Sequence, residues 1–345
     1  MRKAMSVVCG LALALLASCS SAGEAAQGKG KDTLTIAWYP NESGAELKEA
    51  REEFGKLIEQ ATGKKVEHKT TTDYVIAIES IANGNADLAY LGPQGYVEAH
   101  DKNGNVRPLV VSSGASGTLD DAVYYSWLAV KKEDADQYRD ADGFNLDRIE
   151  GKRFSFVSTS STSGFKVPSA GIVSHFGKKE QYKDLKAEDL LEGGKGKLFS
   201  EVLFGNSHQG SAVNLLTGKA DVSAFCDTCV DNYVELVEGT ANRPGAVYAI
   251  RDDAVEPFNT LRGREFVLIS VTPVLNSPFV VNLETLRDHE IEAIKKMLMS
   301  DETANNPKIF VPEDSGFTGL LKKTKNERFV EVDDAWFDPI RELSQ

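Results

Sequence analysis

Two stretches of this chain share one pattern. Residues 73–91, Asp-Tyr-Val-Ile-Ala-Ile-Glu-Ser-Ile-Ala-Asn-Gly-Asn-Ala-Asp-Leu-Ala-Tyr-Leu, and residues 208–225, His-Gln-Gly-Ser-Ala-Val-Asn-Leu-Leu-Thr-Gly-Lys-Ala-Asp-Val-Ser-Ala-Phe, each predict a helix, a glycine, an Ala-Asp turn and an apolar strand. Gly84 and Gly218 supply the left-handed residue that ends a helix, and Asp87 and Asp221 suit the turn that follows. One such unit is ordinary α/β punctuation. Two of them predict two similar lobes, each aligning helix N-termini and strand C-termini along an edge of its sheet, where open α/β sheets take ligands.

The rest of the chain fits that plan. Leu34 to Trp38 reads as a first strand, Ala45 to Gln60 as an amphipathic helix with Leu47, Phe54, Leu57 and Ile58 on one face, Val66 to Lys69 as a second strand. Strand alternating with helix predicts parallel pairing. Tyr124 to Val130 is an apolar strand that leads into the second lobe, where strands over 154–157, 202–204, 222–225 and 246–250 would lie. Residues 266–271 and 273–281 bring the chain back through Pro273 and Pro278, an extended, hinge-like return. Leu283 to Met299 reads as a long helix, and the tail packs on the first lobe. The expected bounds are 33–126 with 272–345 for lobe 1, and 127–271 for lobe 2.

Residues 154–170 carry the strongest hint of chemistry. A short strand (Phe154, Phe156, Val157) runs into six consecutive Ser/Thr residues and Gly164, and a helix toward His175 follows. Unpaired backbone N–H groups and hydroxyls at a helix start can hold a small oxyanion without a formal positive charge. The same residues would also make a plain helix cap or a Ser-rich linker.

The N-terminus sets the compartment. Arg2 and Lys3 precede a short apolar core, Val7 to Leu16, and Leu16-Ala17-Ser18 leads to Cys19, a pattern that resembles a bacterial lipoprotein signal. Residues 1–18 would be removed, lipid would join the Cys19 thiol, and 19–32 would be a flexible tether. The apolar core is too short to span a bilayer. Loss of two positive charges moves the net charge from −13 to about −15, which opposes binding to nucleic acid.

Taken in order along the chain, Tyr39-Pro40, Asp73-Tyr74, Gly-Asn-Ala-Asp-Leu-Ala, Tyr-Leu-Gly-Pro at 90–93, Ser-Thr-Ser-Gly-Phe-Lys-Val-Pro at 161–168, Ser207-His208, Gly-Lys-Ala-Asp-Val at 218–222 and Asn-Ser-Pro-Phe at 276–279 resemble the phosphonate, phosphite and phosphate binding lipoproteins of ABC importers. The resemblance implies a two-lobed α/β fold of the periplasmic-binding-protein type, with mixed sheets flanked by helices and a ligand cleft between the lobes. It implies a monomeric, lipid-anchored extracytoplasmic receptor that passes a small phosphorus oxyanion to a membrane permease. Carried over residue by residue, the ligand would meet Tyr74, Tyr124, Ser161, Thr162, Ser163, Gly164 and His208, the last donating when neutral or carrying charge near neutral pH.

Two departures bear on the ligand. Members that take an aminoalkyl phosphonate pair its ammonium with acidic residues near Asp227 and Ser277. Here Ser277 is neutral and only Asp227 is acidic, which favours phosphate, phosphite or a small neutral phosphonate. A different small nutrient is the alternative ligand. Cys226-Asp227-Thr228-Cys229 is the second departure; a disulfide, reduced thiols and half of a metal or redox site all fit it. No Gly-x-Ser-x-Gly elbow, phosphate-binding Gly-rich loop or His-Glu-x-x-His occurs, so neither catalytic residues nor a cofactor or metal is expected. A hydrolase or a surface interaction lipoprotein is the less favoured class.

Overall fold

The protein is described by a computed structural model that covers residues 30–312, 315 and 318–343. The expected signal, Cys19 and nearly all of the tether lie outside the described residues.

The first sheet contains β1 (Thr33–Trp38), β2 (Lys65–Thr70), β3 (Leu88–Tyr90) and β4 (Val106–Ser112), and it is completed by two strands from the far end of the chain. The second sheet contains β5 (Val123–Lys131), β6 (Arg153–Phe156), β7 (Glu201–Phe204), β8 (Val222–Cys226), β9 (Val234–Glu238), β10 (Val247–Ile250) and β11 (Glu265–Leu275). The returning β12 (Pro278–Asn282) and β13 (Phe329–Glu331) then join the first sheet. Strand order is β13-β4-β12-β3-β1-β2 in the first sheet and β9-β10-β11-β5-β8-β6-β7 in the second.

Within these two sheets pairing is parallel where helix crossovers link neighbours, as in β1 with β2 and β3, or β8 with β6 and β6 with β7. The sheets are mixed, as the resemblance implies: β12 runs antiparallel to β3 and β4, and β5 antiparallel to β8 and β11. The cause is the double crossing: a chain that returns from the second sheet enters the first from the opposite end. The expected bounds 126/127 and 271/272 fall inside β5 and β11, which pair within the second sheet almost from end to end. The chain therefore crosses at 113–122 and 276–277. Asn276 ties the crossings together, its N–H to the Ala122 carbonyl (3.0 Å) and its Nδ2 to the Ser112 carbonyl (2.7 Å).

Both sheets bury both faces. On the first, α1 (Lys48–Thr62) packs Phe54, Leu57 and Ile58 against Leu34, Ile36 and Trp38, while α2 (Tyr74–Ala82) and α3 (Pro93–Lys102) cover the other side with Ile78, Ile81 and Tyr96. On the second, α4 (Val167–Phe176) buries Ile172 and Phe176 with Phe154 and Phe156, and α5 (His208–Leu216) buries Ala212, Leu215 and Leu216 opposite. The long helix expected over 283–299 is shorter: α6 spans Asp288–Leu298. Asn282 and Glu290 explain the difference. The Asn282 side chain accepts the Glu284 N–H (2.9 Å) in a preceding turn, and the Glu290 carboxylate accepts the Arg287 N–H (2.9 Å), which starts the helix there.

The two repeated units match in detail. Gly84 and Gly218 both take positive φ, +70° and +74°. Asp87 Oδ2 accepts the Thr35 N–H of β1 (2.8 Å), and Asp221 Oδ2 accepts the Arg153 N–H of β6 (2.9 Å). Each aspartate pins the strand after its helix to its parallel neighbour. The two helices of these units, α2 and α5, consequently begin in corresponding places, with Tyr74 and His208 as their first residues.

Candidate functional site

The C-terminal edges of the two sheets face each other across a cavity of about 60 Å³. Tyr39, Asn41 and Glu42 reach it from the turn after β1, Tyr74 from the start of α2, Tyr90 from β3 and Tyr124 from β5; Ser161 and Thr162 come from the Ser/Thr loop, His208 and Gln209 from the start of α5. Thr228, Cys229, Asn232, Tyr233 and Ser277 complete much of the rest, and among the described residues no lysine or arginine lines the wall.

Hydrogen bonds close the two halves over this space. Asn41 Oδ1 accepts the His208 N–H (3.0 Å), Thr162 Oγ1 accepts the Gln94 N–H (2.9 Å), and Ser160 Oγ donates to Glu98 (2.7 Å). The Ser/Thr loop fits because of its glycine. A Cβ on Gly164 would lie 2.3 Å from Val157 Cγ2 and 2.7 Å from Ser161 Oγ. Ser161 Oγ accepts the Gly164 N–H (3.1 Å), a single wide turn spans Thr162–Lys166, and α4 follows.

The tautomer of His208 is set by its surroundings. A backbone N–H can only donate, so the Cys226 N–H at 2.9 Å makes Nδ1 an acceptor and places the proton of the neutral ring on Nε2, which faces Ser161 Oγ at 3.3 Å. Burial drives the His208 pKa down to about 3. Of the two states expected for His208, neutral donor or charged near neutral pH, burial favours the neutral donor.

The same logic runs through the neighbouring hydroxyls. Ser161 Oγ receives protons from Gly164 and His208; Thr162 Oγ1 receives one from Gln94; Tyr74 Oη receives one from Asn41 Nδ2 (2.7 Å). Ser161 Oγ has both acceptor positions taken and Thr162 Oγ1 and Tyr74 Oη one each, and Ser161 and Thr162 also lie in hydrogen-bonding contact with the Tyr74 and Tyr124 hydroxyls. Desolvation by burial, and next the Glu42 charge for Tyr74, holds the Tyr74 and Tyr124 hydroxyls protonated far above neutral pH. This is a wall of neutral donors.

Of the residues expected from the sequence, Tyr74, Tyr124, Ser161, Thr162, His208 and Ser277 line the cavity. Ser163, Gly164 and Asp227 stand behind the wall. The Ser163 carbonyl accepts from Ser126 Oγ (2.7 Å), and Asp227 Oδ1 accepts the Tyr125 N–H (2.9 Å), its carboxyl pushed up to about 7 by desolvation. Cys226 and Cys229 form a disulfide. It engages both sulfurs, and His208 Nδ1, the nearby nitrogen that would complete a metal cluster, is taken by the Cys226 N–H. Tyr39, Asn41, Glu42, Tyr90 and Gln209 were not among the expected site residues. The signal for the first three was their position, the turn at the C-terminal end of the first parallel strand.

Comparison with known proteins follows the same outline. The profile of the ABC-transporter phosphonate family, periplasmic substrate-binding proteins, matches residues 36–337. The chain belongs to this family. Phosphate-import protein PhnD of Mycolicibacterium smegmatis is 27% identical, over 96% of this chain and 92% of that one. A binding-protein component of an ABC phosphonate transporter from Pseudomonas aeruginosa superposes with a TM-score of 0.62 at 19% identity, covering 90% of this chain and 85% of its own. PhnD1 of Prochlorococcus marinus, in complex with methylphosphonate, superposes at 0.60 with 16% identity over 90% and 97% of the two chains. The family's two-lobed periplasmic fold accounts for the two facing sheets, and its members are binding components of importers rather than enzymes.

Proposed function

We propose that this receptor closes around one small phosphorus oxyanion, phosphate, phosphite or a short neutral phosphonate, held by Tyr74, Tyr124, Ser161, Thr162, His208 and Ser277, and delivers it to an ABC permease. The observation that carries this reading is the convergence on one cavity of hydroxyls and a neutral imidazole whose Nε2–H is free to donate, with Ser161 Oγ already accepting from the Gly164 N–H. An anion with oxygens in several directions is the complement of such a wall, and hydrogen bonds to an ionised acceptor are stronger than neutral ones.

Size supports the same class. At roughly 10–15 Å³ for each water-sized occupant, a cavity of about 60 Å³ takes about five heavy atoms. Phosphate and methylphosphonate each have that many. Aminoethylphosphonate has two heavy atoms more, and of the two positions expected to pair its ammonium Asp227 is bonded to the Tyr125 N–H and Ser277 is neutral, which leaves Glu42 as the carboxylate among the described lining residues.

The reading extends to the anchor and the hinge. Cys19 carries lipid, residues 19–32 tether the receptor to the cell membrane, and a monomer of two lobes hinges at 113–122 and 276–277. A Cys19→Ser chain should leave the membrane fraction; retention of lipid-labelled protein there would contradict the anchor.

The test is a melting screen of purified protein against phosphate, phosphite, methylphosphonate, aminoethylphosphonate and sulfate. A ligand at a hundred times its Kd stabilises by about 2.7 kcal/mol. The first three should raise Tm by several degrees and aminoethylphosphonate by less. No shift with any phosphorus oxyanion would overturn the assignment.

A further inference from the structure

One wall of the cavity runs against the others. Glu42 is buried beside the hydroxyls just described, and its Oε2 makes no hydrogen bond; Gln209 Oε1, on the same lining, is likewise buried without a partner, because Gln209 Nε2 is committed to the Asn41 and Cys229 carbonyls (3.2 and 3.0 Å). Two unpaired acceptors in an oxyanion cavity are costly unless a proton comes to them. A fully ionised anion brings none.

We infer that Glu42 and the bound anion hold one proton in common, so that the receptor selects phosphorus oxyanions that carry an ionisable proton over fully ionised anions of the same shape, such as sulfate. This inference rests on the proposed oxyanion site and names how that site discriminates. The proton starts either on the anion's P–OH or on the carboxyl, and it bridges the two oxygens in the complex. No other bond changes.

The surroundings leave Glu42 free for this role. Tyr39 on its own turn, Tyr74 from α2, Tyr90 from β3 and Tyr124 from β5 face it as neutral hydroxyls, and His208 from α5 is a neutral imidazole. Arg51 from α1 is the one cation that acts on it, yet Arg51 Nη1 is spent on the Glu42 and Gly44 backbone carbonyls. Desolvation raises the Glu42 carboxyl to about 8, against the downward pull of its own backbone N–H, Asn41 and Arg51. Asp227, which titrates near 7, is off the wall and stays ionised above pH 8.

Calorimetric titration of purified protein with inorganic phosphate and with sulfate, at pH 8 and pH 9, tests the idea. Sulfate must find Glu42 protonated, so its Kd should rise about fivefold from pH 8 to pH 9, whereas phosphate brings its own proton and its Kd should rise less. Glu42→Gln supplies a permanent donor. At pH 9 it should bind sulfate at least tenfold more tightly than the wild type and lose the difference in slope. Equal slopes for the two anions in the wild type, or equal sulfate affinity of wild type and Glu42→Gln at pH 9, would overturn the inference. If Glu42→Gln shows no cooperative melt, the wild-type slopes alone decide. Failure of phosphate to bind the wild type at all would instead remove the oxyanion reading.

Discussion

Thr162 has two roles: its hydroxyl accepts the Gln94 N–H across the two halves, and the residue lines the cavity in which the anion is proposed to sit. Thr162→Ala therefore removes a ligand donor and a closure bond, at roughly 1.5–3 kcal/mol for a hydrogen bond to a charged group. Anion affinity should fall about tenfold to a hundredfold by calorimetry, with the melt of the unliganded protein little changed. His208 has a separate signature in stability. Its folded-state pKa lies near 3 and its unfolded value near 6.5, so its neutral form is favoured in the fold and stability is lost as pH falls through that window. Between pH 7 and 5, denaturant melts of the wild type should lose about 2 kcal/mol more than those of His208→Gln. Glu42 and Asp227, raised to about 8 and about 7, act with the opposite sign, and the paired comparison subtracts them. An equal loss in both proteins would mean that His208 is charged in the fold.

At the scale of elements, two aspartates hold the strands whose edges build the site. Asp87 is fully buried and bonded to the Thr35 N–H, with Lys31 3.6 Å away; Asp221 is partly exposed and also bridges to the Arg153 guanidinium. Asp87→Ala strands a buried donor and should destabilise by about 1–3 kcal/mol in denaturant melts, more than Asp221→Ala, where water can replace the lost partner. Both units were legible in the sequence because glycine, turn aspartate and apolar strand are local signals. The Ser/Thr loop and the helix toward His175 were legible for the same reason. Glu42 was not. A carboxylate two residues after a proline reads as a solvated turn; the Tyr74, His208 and Gln209 side chains that line the same cavity come from helix starts far away in sequence. Asp227 misled in the opposite way, since nothing local says that its carboxyl turns back onto the Tyr125 N–H rather than into the cleft.

At the scale of the whole molecule, donors from both sheets converge on one space, and the chain crosses between them at two adjacent segments tied by Asn276. Closure over a ligand is what such a plan serves. Ligand should reduce the radius of gyration in X-ray scattering, because an anion bridging the lobes favours the closed state; an unchanged profile at saturation would argue against a hinge. The division into two lobes was legible from the repeat, but the crossing points lie a few residues outside the expected bounds because β5 and β11 pair along almost their whole length within the second sheet. The central claim is that neutral hydroxyls of the Ser/Thr loop grip a phosphorus oxyanion. Its most direct test is calorimetric titration of phosphate and methylphosphonate into the wild type and the Ser161→Ala, Thr162→Ala double variant. Saturable binding to the wild type and a loss of a hundredfold or more in the double variant are predicted; wild-type affinity in the double variant would contradict the account.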